Sequence, residues 1–239
     1  MTTLQHTTTP AVSEQAAWAS VQVLVLALIG GLVGIGPVGW FTGFAYAIGT
    51  FVLVSHALRR AGTALGPADR VTLARGTLVG VVTALVAERT EQTALLVALA
   101  AIALALDCVD GQVARRTGTS SPFGARFDME VDAFLILVLS VHVALDLGPW
   151  VLVIGAARYL FVAASWGLAW LRGALPHSFA RKAVAAAQGV ILVAATAEVI
   201  PFTVVLVGLA LVTLLWSFGR DIAWLWRHAP VSVEGSRHG

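Results

Sequence analysis

Eight apolar runs constrain this chain more than any other feature. They are Trp18–Gly36, Val38–Leu58, Val71–Ala87, Thr93–Val113, Asp128–Leu145, Trp150–Leu171, Ala180–Ala197 and Phe202–Trp226. Each is 17 to 25 residues long, the length a helix needs to cross a hydrocarbon layer of ~30 Å. In lipid a chain must satisfy its own backbone N–H and C=O groups, which a helix does segment by segment. The alternating ten-residue segments of a membrane barrel are not seen. The expected fold is therefore an all-α polytopic integral membrane protein of about eight spans. Composition agrees, since 58% of the 239 residues are hydrophobic and 12% are charged. That is about half the ~25% charge of a soluble domain. It excludes a disordered chain, a coiled coil and an ordinary water-soluble enzyme. The single cysteine, Cys108, excludes an intramolecular disulfide and reads as a small packing residue.

The few charges are not spread evenly. Of the 15 Lys and Arg residues, 13 fall in or around the even-numbered connections, or end or follow the last run. Arg89 lies in an odd-numbered connection and Arg158 lies inside the sixth run. Cationic connections face the cytoplasm, so both termini are expected there. The alternation fits eight spans, or six if the first two runs form a re-entrant hairpin. Residues 1–17 are polar and carry no Lys or Arg, which reads as a flexible tail rather than a secretory signal. The net charge of +2 is too small to imply a nucleic-acid partner.

The acids are more concentrated still. Asp107, Asp110, Asp128, Glu130 and Asp132 are five of the 13 acidic residues. Asp107 and Asp110, three apart, share a face of the fourth helix, and Asp128 and Asp132, four apart, share a face of the fifth. The polar segment Ala114–Phe127 turns the chain back, so the two pairs can face each other. Four close carboxylates repel unless a cation lies among them. Oxygen ligands of this kind suit Mg²⁺ or Mn²⁺ rather than Zn²⁺. Glu130 lies off that face and is expected to meet solvent or Arg126.

Asp107-Cys108-Val109-Asp110-Gly111-Gln112-Val113-Ala114-Arg115 is followed by Gly124, Asp128 and Asp132. This resembles, at every fixed position and spacing, the signature of the CDP-alcohol phosphotransferases, D-x2-D-G-x2-A-R-x8-G-x3-D-x3-D. The resemblance extends over a six-helix core from about Asp69 to Trp226. It implies metal-dependent attack of an alcohol on a CDP-linked donor, with release of CMP. It implies Asp107, Asp110, Asp128 and Asp132 as metal ligands, for a pair of Mg²⁺ or Mn²⁺ ions, and Asp132 as general base. It implies that Gly111, Ala114, Arg115 and Gly124 contact the nucleotide. A weaker match, Ala68-Asp69-Arg70-Val71-Thr72-Leu73-Ala74-Arg75, resembles the family's P-N-x-x-T-x-x-R pattern. It adds Asp69, Thr72 and Arg75 to the nucleotide site, with Asp69 where Asn is common. Asp69 reads equally as a helix N-cap after Pro67.

The resulting organisation is a tail (1–17), an N-terminal membrane hairpin (18–58), a cytoplasmic linker (59–68), the six-helix catalytic core (69–226) and a C-terminal tail (227–239). The hairpin lies outside the resemblance. Its glycines, Gly30, Gly31, Gly34, Gly36 and Gly39, permit close helix contacts on the core or on a second subunit. Arg158, Arg181 and Lys182 are candidates to bind a phosphorylated acceptor. Each has a plainer reading, as an ion pair for Arg158 and as interfacial charge for the other two. Arg220 and Asp221 read as a local pair, and His177 as an interfacial loop residue.

The expected function is phosphatidyl transfer from CDP-diacylglycerol to a polar alcohol such as glycerol phosphate or inositol phosphate. It would take place in a bacterial-type cell membrane, with the site open to the cytoplasm and membrane lipids around it. A homodimer is a candidate state, because family members often dimerise. The alternative within the chemistry is transfer of a phospho-alcohol from a soluble CDP-alcohol to diacylglycerol. The alternative from another class is a transporter with an ion site at the carboxylates. Its mark would be mid-membrane acids in inverted repeats.

Overall fold

The computed structural model describes residues 9–61, 65–117, 121–176, 178–199 and 201–228, without the side chains of residues 9–13, 61, 108, 110, 114, 115 and 117. Eight α-helices run through them: α1 (Thr9–Val33), α2 (Pro37–Ala61), α3 (Pro67–Ala87), α4 (Thr93–Thr117), α5 (Pro122–Leu147), α6 (Leu152–Gly167), α7 (Phe179–Thr196) and α8 (Thr203–Arg227). Single 3₁₀ turns, Pro149–Val151 and Ala169–Arg172, flank α6. There is no strand among the described residues, and the all-α polytopic fold stands.

Seven of the eight helices are long and apolar enough to cross a membrane. The one outside that set, α5, is 26 residues long but carries Arg126, Asp128, Glu130, Asp132 and Asp146. Both hairpin helices are among the seven.

Several boundaries move. The first helix begins at Thr9, so residues 9–17 belong to it rather than to a flexible tail. Helix-compatible Ser, Glu, Gln and Ala fill that stretch. Gln15 is buried and its Oε1 accepts the Ser55 hydroxyl at 2.6 Å. Arg59, Arg60 and Ala61 complete α2, and Pro67 and Ala68 open α3, so half of the 59–68 linker is helical. The fourth helix runs past Val113 to Thr117, and the fifth starts at Pro122 rather than Asp128. Ser121 caps α5, its Oγ accepting the Gly124 N–H at 2.9 Å, and Pro122 takes the first helical position, where no N–H is needed. The sixth apolar run is interrupted at Leu168.

The centre of the bundle is α3. Buried residues make up 67% of its spanning window, against 28% or less in the other candidate spans. It packs against α1, α2, α4 and α5. Its Val79, Val81, Val82, Ala84 and Leu85 are fully enclosed, with Leu96 and Ala100 of α4 and Leu139 of α5 in the same core. Small and β-branched side chains let the helices approach closely, which is how helices associate where lipid is as apolar as the protein. The outer faces present Leu32, Phe41, Trp166 and Phe202, as lipid contact requires.

The N-terminal hairpin docks on this core helix. Glu88, at the end of α3, reaches the N-terminus of α2 and accepts the Gly39 N–H at 2.6 Å. A carboxylate is stabilised there by the exposed N–H groups and the helix dipole. Room for it comes from Gly36 and Gly39, where a Cβ would run into Glu88. Gly30 faces Trp40 within the hairpin, whereas Gly31 and Gly34 have open space. Of the five glycines, Gly36 and Gly39 therefore serve contact with the core. At the other end of the hairpin, Val54 and Leu58 join Leu65, Leu73, Phe123 and Phe127 in a second apolar cluster.

After Glu88 the chain leaves α3 through a left-handed residue, Arg89, with φ +55°. The Arg89 N–H bonds Val86 O and the Thr90 N–H bonds Leu85 O, both at 3.1 Å. This is the Schellman pattern, usually built on glycine.

Candidate active site and metal centre

Helices α4 and α5, both packed on α3, bring the acidic motif together. Asp107 comes from α4, and Asp128 and Asp132 come from successive turns of α5. One carboxylate oxygen from each lies within 4.8 Å of the other two. The three side chains are 35 to 37% exposed, so the cluster opens to solvent on one side. Gly111, one turn beyond Asp107 on α4, is half-buried. The side chains of Asp110, Ala114, Arg115 and Cys108, and all of His177, lie outside the described residues.

Behind the carboxylates stands Arg75 of α3, which is fully buried. Its Nη1 donates to Asp107 Oδ1 at 2.6 Å. Its Nη2 donates to Asp128 Oδ1 at 2.5 Å and to the Asp128 backbone oxygen at 3.0 Å. Asp132 Oδ1 lies 3.1 Å from the same Nη2. The sequence pattern had placed Arg75 with the nucleotide; the structure brings it to the carboxylates. One signal for this was present. Arg75 is the lone charged residue of its apolar run, and an arginine in a membrane helix has to find acids on its neighbours.

Three carboxylates and one guanidinium leave two negative charges among the described groups. An all-oxygen donor set with that charge fits a divalent hard cation such as Mg²⁺ or Mn²⁺. The residues present therefore fit the metal that the motif implies.

The first turns of α3 and α5 meet beside this cluster. Asp69 is buried, and its Oδ2 accepts the Gly66 N–H at 2.8 Å. It is the third residue of the helix, reaching back to the N–H of the N-cap Gly66, and so is not the N-cap itself. Gly124 packs against it, so that a Cβ at position 124 would overlap Asp69 Oδ1. Thr72 is buried as well, its hydroxyl donating to Ala68 O at 3.2 Å. Asp69 and Gly124 meet at the contact between α3 and α5.

The cationic candidates for the acceptor are dispersed. Arg158 of α6 pairs with Glu130 through Nη2, and its Nη1 lies 3.0 Å from Met129 Sδ. Glu130 therefore pairs with α6 rather than with Arg126, and it stays 53% exposed, as a residue off the Asp128–Asp132 face should. The Arg181 Nη1 donates to Asp221 Oδ2 at 3.0 Å, and its Nη2 donates to Pro176 O at 2.8 Å. Asp221 is only 13% exposed and clasps α7 to α8, a role its sequence neighbour Arg220 had concealed. Arg220 is 3.6 Å from the same carboxylate, donates to Ser178 Oγ at 3.2 Å and lies over the Trp216 ring. Lys182 is exposed.

The fold and the site together define a polytopic membrane protein with an acidic cluster that could hold a cation. The CDP-alcohol phosphatidyltransferase family matches residues 66–216, from the start of α3 into α8. This is well over half of the chain, which therefore belongs to that family and to its general class of reaction, transfer from CDP-linked substrates. No curated protein and no solved structure matches the chain. The N-terminal hairpin precedes the matched span.

Proposed function

We propose that the chain transfers the phosphatidyl group of CDP-diacylglycerol to a hydroxyl of a polar alcohol, such as glycerol phosphate, inositol phosphate or another polyol, and releases CMP. The observation that carries this reading is the convergence of Asp107 of α4 with Asp128 and Asp132 of α5, in a bundle of helices long and apolar enough to cross a membrane. A site in such a bundle suits a donor whose diacylglycerol stays in the bilayer while its nucleotide and the acceptor come from water. Acids gathered at one end of the bundle, rather than at mid-membrane, favour an enzyme over a transporter.

Asp107, Asp110, Asp128 and Asp132 would hold Mg²⁺ or Mn²⁺, two ions in the full site. Such an ion supplies Lewis-acid polarisation of the pyrophosphate and neutralises the departing phosphate. Asp132 takes the proton of the acceptor hydroxyl as that oxygen bonds to the phosphorus bearing diacylglycerol. The bond from this phosphorus to the bridging oxygen breaks, and CMP leaves with that oxygen and its electron pair. Gly111 and Ala114, both small, let the nucleotide lie close to α4. Arg115 neutralises donor phosphates, and the first turns of α3 and α5, with Asp69, Thr72 and Gly124, form the rim on the nucleotide side. A phosphorylated acceptor would recruit Arg158, Arg181 or Lys182. The positive connections place this end of the bundle, and both termini, in the cytoplasm.

The test is a membrane assay with labelled CDP-diacylglycerol, Mg²⁺ or Mn²⁺, and a panel of polar alcohols. The expected result is acceptor-dependent CMP release, lost in Asp128→Asn and Asp132→Asn. Release that persists in either variant refutes the mechanism. Release with CDP-choline or CDP-ethanolamine and diacylglycerol, but not with CDP-diacylglycerol, reverses the direction of transfer.

A further inference from the structure

Among the described side chains, Arg75 makes the largest set of charged contacts while having no exposure of its own. Its guanidinium engages acids from both α4 and α5, together with the Asp128 backbone oxygen. It extends from α3, the most enclosed helix. The carboxylates it engages are each about one-third exposed on their other side. The arrangement thus has a buried cationic floor and an open anionic rim.

We propose that Arg75 is a positioning residue for the metal centre. It holds Asp107, Asp128 and Asp132 converged, so that a divalent cation arriving from the open side meets ligands already in place. This rests on the reading of the acidic cluster as the metal site. Without a fixed cation behind them, three carboxylates this close repel each other and swing apart towards water. A planar guanidinium suits the task because its forked donors fix direction as well as charge, which a lysine ammonium does not. The bond to the Asp128 backbone adds a second function, setting the height of α5 against α3 and so which turn of α5 faces Asp107.

Two effects oppose each other when the arginine is removed, and they separate this proposal from its rivals. Loss of a positive charge makes the pocket more negative and draws a cation more strongly. Loss of the fork disorders the ligands, and partners that orient metal ligands are typically worth about 10–100-fold in affinity. If Arg75 positions the ligands, the second effect dominates. If it merely occupies the place of the metal, the first does. If it serves the nucleotide, metal affinity does not change.

The experiment measures Mn²⁺ binding to the purified full-length protein by electron paramagnetic resonance, for wild type, Arg75→Gln, Arg75→Lys and Asp128→Asn. It adds the metal dependence of turnover and the KM for the donor at saturating metal. The expected result is Mn²⁺ affinity weakened about 10–100-fold in Arg75→Gln and by a smaller factor in Arg75→Lys. Excess metal should restore part of the turnover, with an unchanged donor KM. Should Arg75→Gln fail to fold, the Arg75→Lys affinity decides by the same criterion. Unchanged or tighter Mn²⁺ binding overturns the proposal, as does a raised donor KM with metal affinity intact. Absence of Mn²⁺ binding by wild type would instead overturn the metal-site reading itself, and Arg75's role with it.

Discussion

Gly124→Ala separates two readings of one glycine. The motif assigns Gly124 to the nucleotide, whereas the structure seats it on Asp69. A methyl group at position 124 overlaps Asp69 Oδ1 and comes within 3.2 Å of Ser121 Oγ. Neither neighbour yields easily. Asp69 is buried and receives the Gly66 N–H, and Ser121 Oγ receives the N–H of Gly124 itself. Either α5 moves away from α3 or Asp69 gives up its capping bond. Overpacking of this kind costs about 1–3 kcal/mol, and the loss of a helix-start hydrogen bond costs about 1 kcal/mol. For a chain of this size that lowers Tm by about 2–10 °C. The assay is thermal unfolding of the purified protein in detergent, alongside the donor KM. Gly124→Ala combined with Asp69→Ala should recover about 0.5–3 kcal/mol relative to the sum of the single changes, because the second removes the obstructing carboxylate. An unchanged Tm with a raised donor KM, and no coupling to position 69, would refute the packing argument.

Glu88→Ala removes the carboxylate from the start of α2 and should lower stability by roughly 1–2 kcal/mol, with easier proteolysis between the hairpin and α3; unchanged cleavage would show that the Gly39 contact does not anchor the hairpin. Arg89→Gly should raise stability by about 1 kcal/mol, since glycine adopts φ +55° without the Cβ penalty; thermal unfolding measures this. Glu130→Gln frees Arg158 from its pair, so if Arg158 binds a phosphorylated acceptor, the acceptor KM should fall in Glu130→Gln and rise several-fold in Arg158→Gln. Equal KM values in both would leave the pair structural. Chelation of divalent ions should abolish CMP release, Mg²⁺ or Mn²⁺ should restore it, and activity that survives thorough chelation would contradict the carboxylate site.

How far the sequence carried depends on whether a property is local to one segment. Eight apolar runs of spanning length imply eight helices, because lipid offers a backbone no other local solution. The spacing of Asp107, Asp128 and Asp132 likewise put their carboxylates on facing surfaces, since helical periodicity follows from position alone. Ends were less legible. The stretch before Trp18 and the one between Val113 and Asp128 are polar, and polarity separates lipid from water without separating helix from loop. Residues 9–17, 114–117 and 122–127 continue as helix, which lengthens α1, α4 and α5.

What only the tertiary structure decided is which distant residues share a space. Arg75 and Asp69 belong to one motif by sequence. The rotation of α3 sends the first to the carboxylates and the second to Gly124. Glu88 looks like a loop acid until Gly36 and Gly39 admit it to the start of α2. Glu130 and Arg158 meet because α6 packs beside α5, and Arg181 reaches Asp221 across two helices. In each case a charge within an apolar bundle must find a partner, and sequence alone states that demand. Helix packing, set by small residues and close approach rather than by any local pattern, decides which partner meets it.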